Sequence, residues 1–157
     1  MNYLTAQNFC LKIIKYSVFL ILFIPLLITS STLFPYVFGK SVAFQVLVEI
    51  MLLAYFWLLY FNFKQTGHFG LNYLPKLNLV FWALIIFFII LLLSTVFSVD
   101  PYYSFWSKQE RMDGLFNLIH FFIFFVILAG VFKEEESWWQ ILDVSIIASF
   151  LVTLHAL

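Results

Sequence analysis

The sequence predicts an all-α, polytopic transmembrane protein with about five spans, on three observations. Of its 157 residues, 64% are hydrophobic and only 10% are charged, against about 25% charged in ordinary soluble domains. A mean hydropathy of +1.04 suits a chain dissolved in lipid, because a globule this apolar lacks the polar side chains to cover its surface. Finally, the apolar residues come in runs about as long as the ~20 residues needed to cross ~30 Å of hydrocarbon at 1.5 Å per residue. Those runs are apolar on every face, Leu84–Leu93 for example, so they read as helices and not as the alternating strands of a membrane barrel.

The expected spans are 16–34, 41–61, 77–97, 115–132 and 141–157. They leave short connections, no room for a soluble domain, and no internal repeat or low-complexity linker. Lys12 and Lys15 ahead of the first run, with Thr29, Ser30 and Ser31 after it, imitate a signal peptide. The run is longer than a signal core and more spans follow, which favours an uncleaved first helix. With the N-terminus inside, the inner segments hold Lys12, Lys15, Lys64, Lys76 and Lys133, and the outer ones Lys40, Lys108 and Arg111, so the positive-inside bias favours that orientation. Tyr36, Tyr73, Tyr102, Tyr103, Trp106, Trp138 and Trp139 fall near span ends, as interfacial anchors do. The last run reaches Leu157 without a polar finish, so the chain reads as the N-terminal fragment of a longer protein.

Composition also removes function classes. Eight basic against eight acidic residues give no net charge to hold nucleic acid. One cysteine, Cys10, excludes an intrachain disulfide and a cysteine-based zinc cluster. His68, His120 and His155 lack metal-ligand spacing, and no metal or cofactor is expected. Gly39-Lys40-Ser41 ends like a phosphate-binding loop, but Phe34 stands where that motif needs its first glycine.

Polar residues inside apolar spans are costly and therefore carry the information. Gln45 and Glu49 sit at i, i+4 on one face of the second span, read equally as a cavity lining or a hydrogen bond to a neighbouring helix. The third connection, 98–114, holds Asp100, Lys108, Glu110, Arg111 and Asp113, five of the sixteen charged residues. Asp100-Pro101 signals a turn, and Ser107-Lys108-Gln109-Glu110 matches a capping box that would start a helix. From it, Glu110, Asp113, Asn117 and His120 would form one polar stripe into the fourth span, with Gly114 allowing close approach of another segment or a lipid head. Lys108 and Arg111 read either as binders of an anionic head group or as snorkelling anchors paired with Glu110 and Asp113, the anchors being the commoner case. His120 reads more readily as a helix–helix hydrogen-bond partner than as a base. Lys133-Glu134-Glu135-Glu136 would form a solvated loop, Glu134 to Glu136 also favouring the start of the next helix, and Asp143 is expected in the first turn of the last span. Ser145, Ser149 and Thr153 form a small-residue stripe of the kind used in close helix packing.

The string Asp100-Pro101-Tyr102-Tyr103-Ser104-Phe105-Trp106-Ser107, followed by Glu110-Arg111-Met112-Asp113-Gly114, resembles the N-P-x-x-S-F-W…E-R-x-x-G signature of O-antigen ligase/polymerase-like membrane proteins, with Asp100 where asparagine is common. Phe34-Pro35-Tyr36-Val37-Phe38-Gly39-Lys40, with Phe44, Val48 and Glu49, resembles that family's first outer loop and second span, and Leu93–Val99 fits as well. The resemblance covers the chain from about Tyr16 to Leu157. It implies the N-terminal part of a GT-C-like glycosyltransferase of the bacterial inner membrane, moving a glycan from an undecaprenyl-diphosphate carrier to lipid A core, polysaccharide or protein without a metal. It also implies that the essential arginines and histidine lie downstream of Leu157, so this chain contributes no catalytic residue and is expected to be inactive alone. Substrate-binding candidates are Arg111, Lys108, Glu110, Asp113, Asn117, His120 and Glu49. The rival expectation is a transporter or flippase in which Glu49 and His120 handle protons.

Overall fold

The computed structural model describes residues 3–28, 37–67, 72–108 and 111–156; Phe34, Pro35, Tyr36, His68, Gln109 and Glu110 lie outside them. Within these residues the chain is helical and contains no strand. The helices are α1 (Tyr3–Phe23, closed by a 3-10 turn Ile24–Leu26), α2 (Phe38–Thr66), α3 (Leu79–Val96), α4 (Pro101–Trp106), α5 (Leu115–Val131) and α6 (Glu135–Ala156). Four are long and apolar enough to cross a membrane, namely α1 with its 3-10 turn, α2, α3 and α6. The 17 residues of α5 rise about 26 Å, at the short limit for a span.

Two helix starts move from their expected places. The first helix begins at Tyr3, not Tyr16, and its α-helical part ends at Phe23. Pro25 stops it, having no N–H to donate and a ring that clashes with the preceding turn. Lys12 and Lys15 are therefore part of α1 and not a tail before it. The last helix begins at Glu135, not Ile141, with Glu135 and Glu136 in the first turn, where the helix dipole favours carboxylates. Asp143, expected in a first turn, is consequently well inside α6.

The core is the antiparallel pair α1 and α2, against which α5 packs. The buried positions reveal why. On α1 they include Gln7, Cys10, Ile14 and Ser17, and on α2 Phe44, Val48, Met51, Tyr55, Leu58 and Asn62. Both series step by three and four residues, the seam that lets nearly aligned helices interlock. Ile14, Val48, Met51 and Leu58 are fully excluded from the surroundings. The seam ends in amides, Gln7 donating to Gln65 Oε1 at 3.0 Å.

The described residues 72–74, after α2, are held by several hydrogen bonds. Gly67 closes α2 with φ +70°, donating its N–H to the Phe63 carbonyl. Beyond it, Tyr55 Oη donates to the Tyr73 carbonyl at 2.8 Å, and Lys133 Nζ donates to the carbonyls of Asn72 (2.8 Å) and Leu74 (2.9 Å). Gly130 is required there, because a Cβ on it would come within 2.3 Å of the Tyr73 carbonyl oxygen.

α3 and α6 are peripheral. Phe81 is the sole buried residue of α3, which meets α5 through stacked rings, Phe88 on Phe122 at 4.6 Å and Phe81 on Phe125 at 6.0 Å. In the Ser145–Ser149–Thr153 stripe only Ser145 is half-buried. Ser149 and Thr153 are exposed and donate to the carbonyls four residues earlier on α6.

Candidate functional site

The candidate site lies at the end of the bundle where α2 and α5 begin. Asp100 caps the six-residue α4, its carboxylate accepting from the Tyr103 N–H at 2.9 Å, and Pro101 occupies the first turn, where its missing N–H costs nothing. The expected capping box is overturned. Ser107 ends α4, with its N–H on the Tyr103 carbonyl and a left-handed φ of 62°, and no helix starts from it. The competing signal is Asp100-Pro101, which starts a helix about two turns earlier and exhausts it by Trp106. α5 begins only at Leu115, after Gly114, so the continuous stripe through Asp113 does not form, and Glu110 lies outside the described residues.

Gly114 is where the chain folds back on α4. A Cβ there would come within 2.3 Å of the Phe105 carbonyl oxygen and 2.7 Å of the Trp106 carbonyl carbon. The close approach read from the sequence is thus made by the protein's own backbone. Between Ser107 and Gly114 the Lys108 carbonyl accepts from the N–H groups of Arg111 (3.1 Å) and Met112 (2.9 Å), and Met112 also takes a positive φ of 52°. Lys108, Arg111 and Asp113 are exposed, and none of their side chains forms a hydrogen bond or ion pair with a described residue.

Below this loop the polar residues of α2 and α5 meet. Gln45 Nε2 donates to Asn117 Oδ1 at 3.3 Å, with both side chains buried. One turn deeper, His120 Nε2 lies 3.5 Å from Glu49 Oε1. His120 Nδ1 is 2.8 Å from the Phe116 carbonyl, which can only accept, so Nδ1 carries a hydrogen and Nε2 faces the carboxyl group. His120 is buried, whereas the Glu49 side chain keeps 60% of its surface exposed. The i, i+4 spacing on α2 and the i, i+3 spacing on α5 therefore face one another as two polar rungs.

Aromatic rings join the two levels. Trp106 lies on Phe116 with ring centres 5.0 Å apart, and Phe116 meets the His120 ring edge-on at 4.7 Å. The exposed loop cations and the amide, imidazole and carboxyl groups of α2 and α5 thus share one end of the bundle, where three rings run from Trp106 to His120. The quartet of Gln45, Glu49, Asn117 and His120 is assembled by folding; Lys108, Arg111 and Asp113 stand apart from it in the loop. Among the described residues, no group of three or more histidine, cysteine or acidic side chains could hold a metal ion.

Sequence reasoning read Tyr73 only as an interfacial anchor, and missed Gly130 and the partnership of Gln45 with Asn117, which are 72 residues apart. No family model, curated protein or solved structure matches the chain.

Proposed function

We propose that this chain is the N-terminal membrane part of an O-antigen ligase/polymerase-like glycosyltransferase, seated in the bacterial inner membrane with its N-terminus in the cytoplasm and the α4 loop outside. The observation that carries the reading is the form of the loop bearing the resemblance: pinned at Gly114, it leaves Lys108 and Arg111 exposed and without a hydrogen bond or ion pair to any described residue. Such cations suit the diphosphate of a lipid-linked glycan, Arg111 through its planar two-pronged fork and Lys108 as a point charge. Exposed Tyr102, Tyr103 and Trp106 are placed to sit at headgroup level, where a lipid-borne sugar enters. Glu110 or Asp113 would orient Arg111 once the diphosphate is bound, and Asn117, His120 and Glu49 would line the adjoining wall. The transfer chemistry itself falls to residues downstream of Leu157, so this part binds and positions.

The test is Arg111→Ala in the full-length protein, with transfer measured from purified lipid-linked donor. Losing a charge-assisted phosphate contact should lower donor use about tenfold or more at unchanged melting temperature; wild-type transfer would remove the role. A second reading, a multi-span transporter or flippase, draws on the Glu49–His120 pair inside the membrane. In that case Glu49→Gln is the damaging substitution and Arg111→Ala the silent one.

A further inference from the structure

At the opposite end of the bundle, α1 and α6 enclose a hollow of about 480 Å³ whose lining includes Lys12, Lys15, Tyr16, Gln140, Asp143 and Val144. Lys12 and Lys15 share one face of α1 at i, i+3, and Gln140, Asp143 and Val144 share one face of α6 at i, i+3 and i+4. The Lys15 ammonium is held across the gap by Gln140 Oε1 and lies 5.8 Å from the Phe19 ring centre, which fixes its direction. An ammonium has three hydrogens to give, so Lys15 retains donors for a ligand. Lys12 forms no hydrogen bond or ion pair with a described residue, and neither lysine reaches Asp143 within ion-pair distance. Two cations and one carboxylate therefore face the same space, net +1, without neutralising each other.

We infer that this groove binds the phosphate of an anionic phospholipid whose headgroup carries hydroxyls, such as phosphatidylglycerol. Lys12 and Lys15 take the phosphodiester, while Asp143 accepts from a headgroup hydroxyl. Depth argues for a lipid as the source of the phosphate. Tyr16, Trp138 and Trp139 are exposed at the same level of α1 and α6, the belt that marks the membrane interface where lipid phosphates lie. Apolar Val144 and the ring of Phe19 continue from the groove toward the bilayer interior, giving the glycerol and first methylenes a surface. Net +1 selects a net anionic headgroup over a zwitterionic one. The site does not depend on the proposed glycan chemistry, which is placed at the other end of the bundle.

Purified protein in mixed micelles containing equal phosphatidylglycerol and phosphatidylcholine, read by native mass spectrometry, tests it. Wild type should retain phosphatidylglycerol preferentially, and Lys12→Gln/Lys15→Gln should weaken retention about twenty-five-fold, since each interfacial lysine contributes about fivefold. Lys12→Gln alone, which removes no contact between helices, should give the fivefold loss with an unchanged melting temperature. A Lys64→Gln control, at the end of α2, should retain lipid like wild type. Equal retention of phosphatidylcholine, or undiminished phosphatidylglycerol in the double variant, would overturn the site. Inorganic phosphate displacing the lipid at millimolar concentration would assign the groove to a free anion instead.

Discussion

α2 and α3 are both apolar enough to cross a membrane, yet 39% of the α2 window is buried within the protein and only 6% of the α3 window. The less buried helix is the more uniformly greasy one. α3 reads LVFWALIIFFIILLLSTV, whereas α2 carries Gln45, Glu49 and Asn62 among its apolar residues. In water burial follows hydrophobicity, but in a bilayer lipid solvates Leu and Phe as well as protein does, so apolarity gives no reason for two helices to meet. Helices meet where shape interlocks and where polar groups must find one another. That is the α1–α2 seam and the α2–α5 rungs.

The largest test of this contrast is at the glycines that permit close approach. Gly130→Ala and Gly114→Ala would each push a Cβ to 2.3 Å from a backbone oxygen, the carbonyls of Tyr73 and Phe105 respectively. Backbone cannot give way as a flexible side chain can, so each should cost about 1–3 kcal/mol or more, measured by reversible unfolding in detergent. Gly67→Ala meets nothing within 4 Å among the described residues and has only its φ of +70° to oppose it, so it should cost the left-handed penalty alone, about 1–2 kcal/mol. If Gly114→Ala were as mild as Gly67→Ala, the fold-back of α5 on α4 would be refuted.

Helix existence was legible in the sequence because lipid imposes a minimum apolar run. Helix ends were not, because a helix can continue past the hydrocarbon into the headgroup layer. α1 runs on through Lys12 and Lys15, and α6 starts at Glu135, since neither end needs to be apolar to stay helical. The site was legible as separate stripes. Gln45 with Glu49 and Asn117 with His120 each follow from helical spacing, but nothing local says that the second and fourth apolar runs face each other. The Ser107 capping box failed for a related reason: a four-residue match cannot show that Asp100-Pro101 has already placed that serine at a helix end.

Core truncation sharpens the same contrast at smaller size. Leu58 is fully enclosed between α1 and α2, whereas Ile90 on α3 is exposed. Leu58→Ala should cost about 1–3 kcal/mol, less than in a soluble core because lipid solvates the same methyls, leaving mainly the cavity and lost-contact terms. Ile90→Ala should stay within about 0.5 kcal/mol. Equal costs would mean that α3 has contacts as close as those of α2.

The smallest effect tests the polar rung directly. Gln45 and Asn117 are buried and 3.3 Å apart, so replacing either alone with leucine leaves the other amide in apolar surroundings, and replacing both removes the problem together with the bond. A double-mutant cycle of Gln45→Leu and Asn117→Leu should therefore give a coupling of about 0.6 kcal/mol and no more than about 1.7 kcal/mol, the range for hydrogen bonds between membrane helices. The sign matters more than the size. Positive coupling, with the double variant better than the sum of the singles, assigns the rung a part in holding α2 against α5. Zero coupling would leave the interlocking of Phe44 with Phe121 and Phe124, at ring-centre distances of 4.5 and 5.8 Å, as the contact that sets their register.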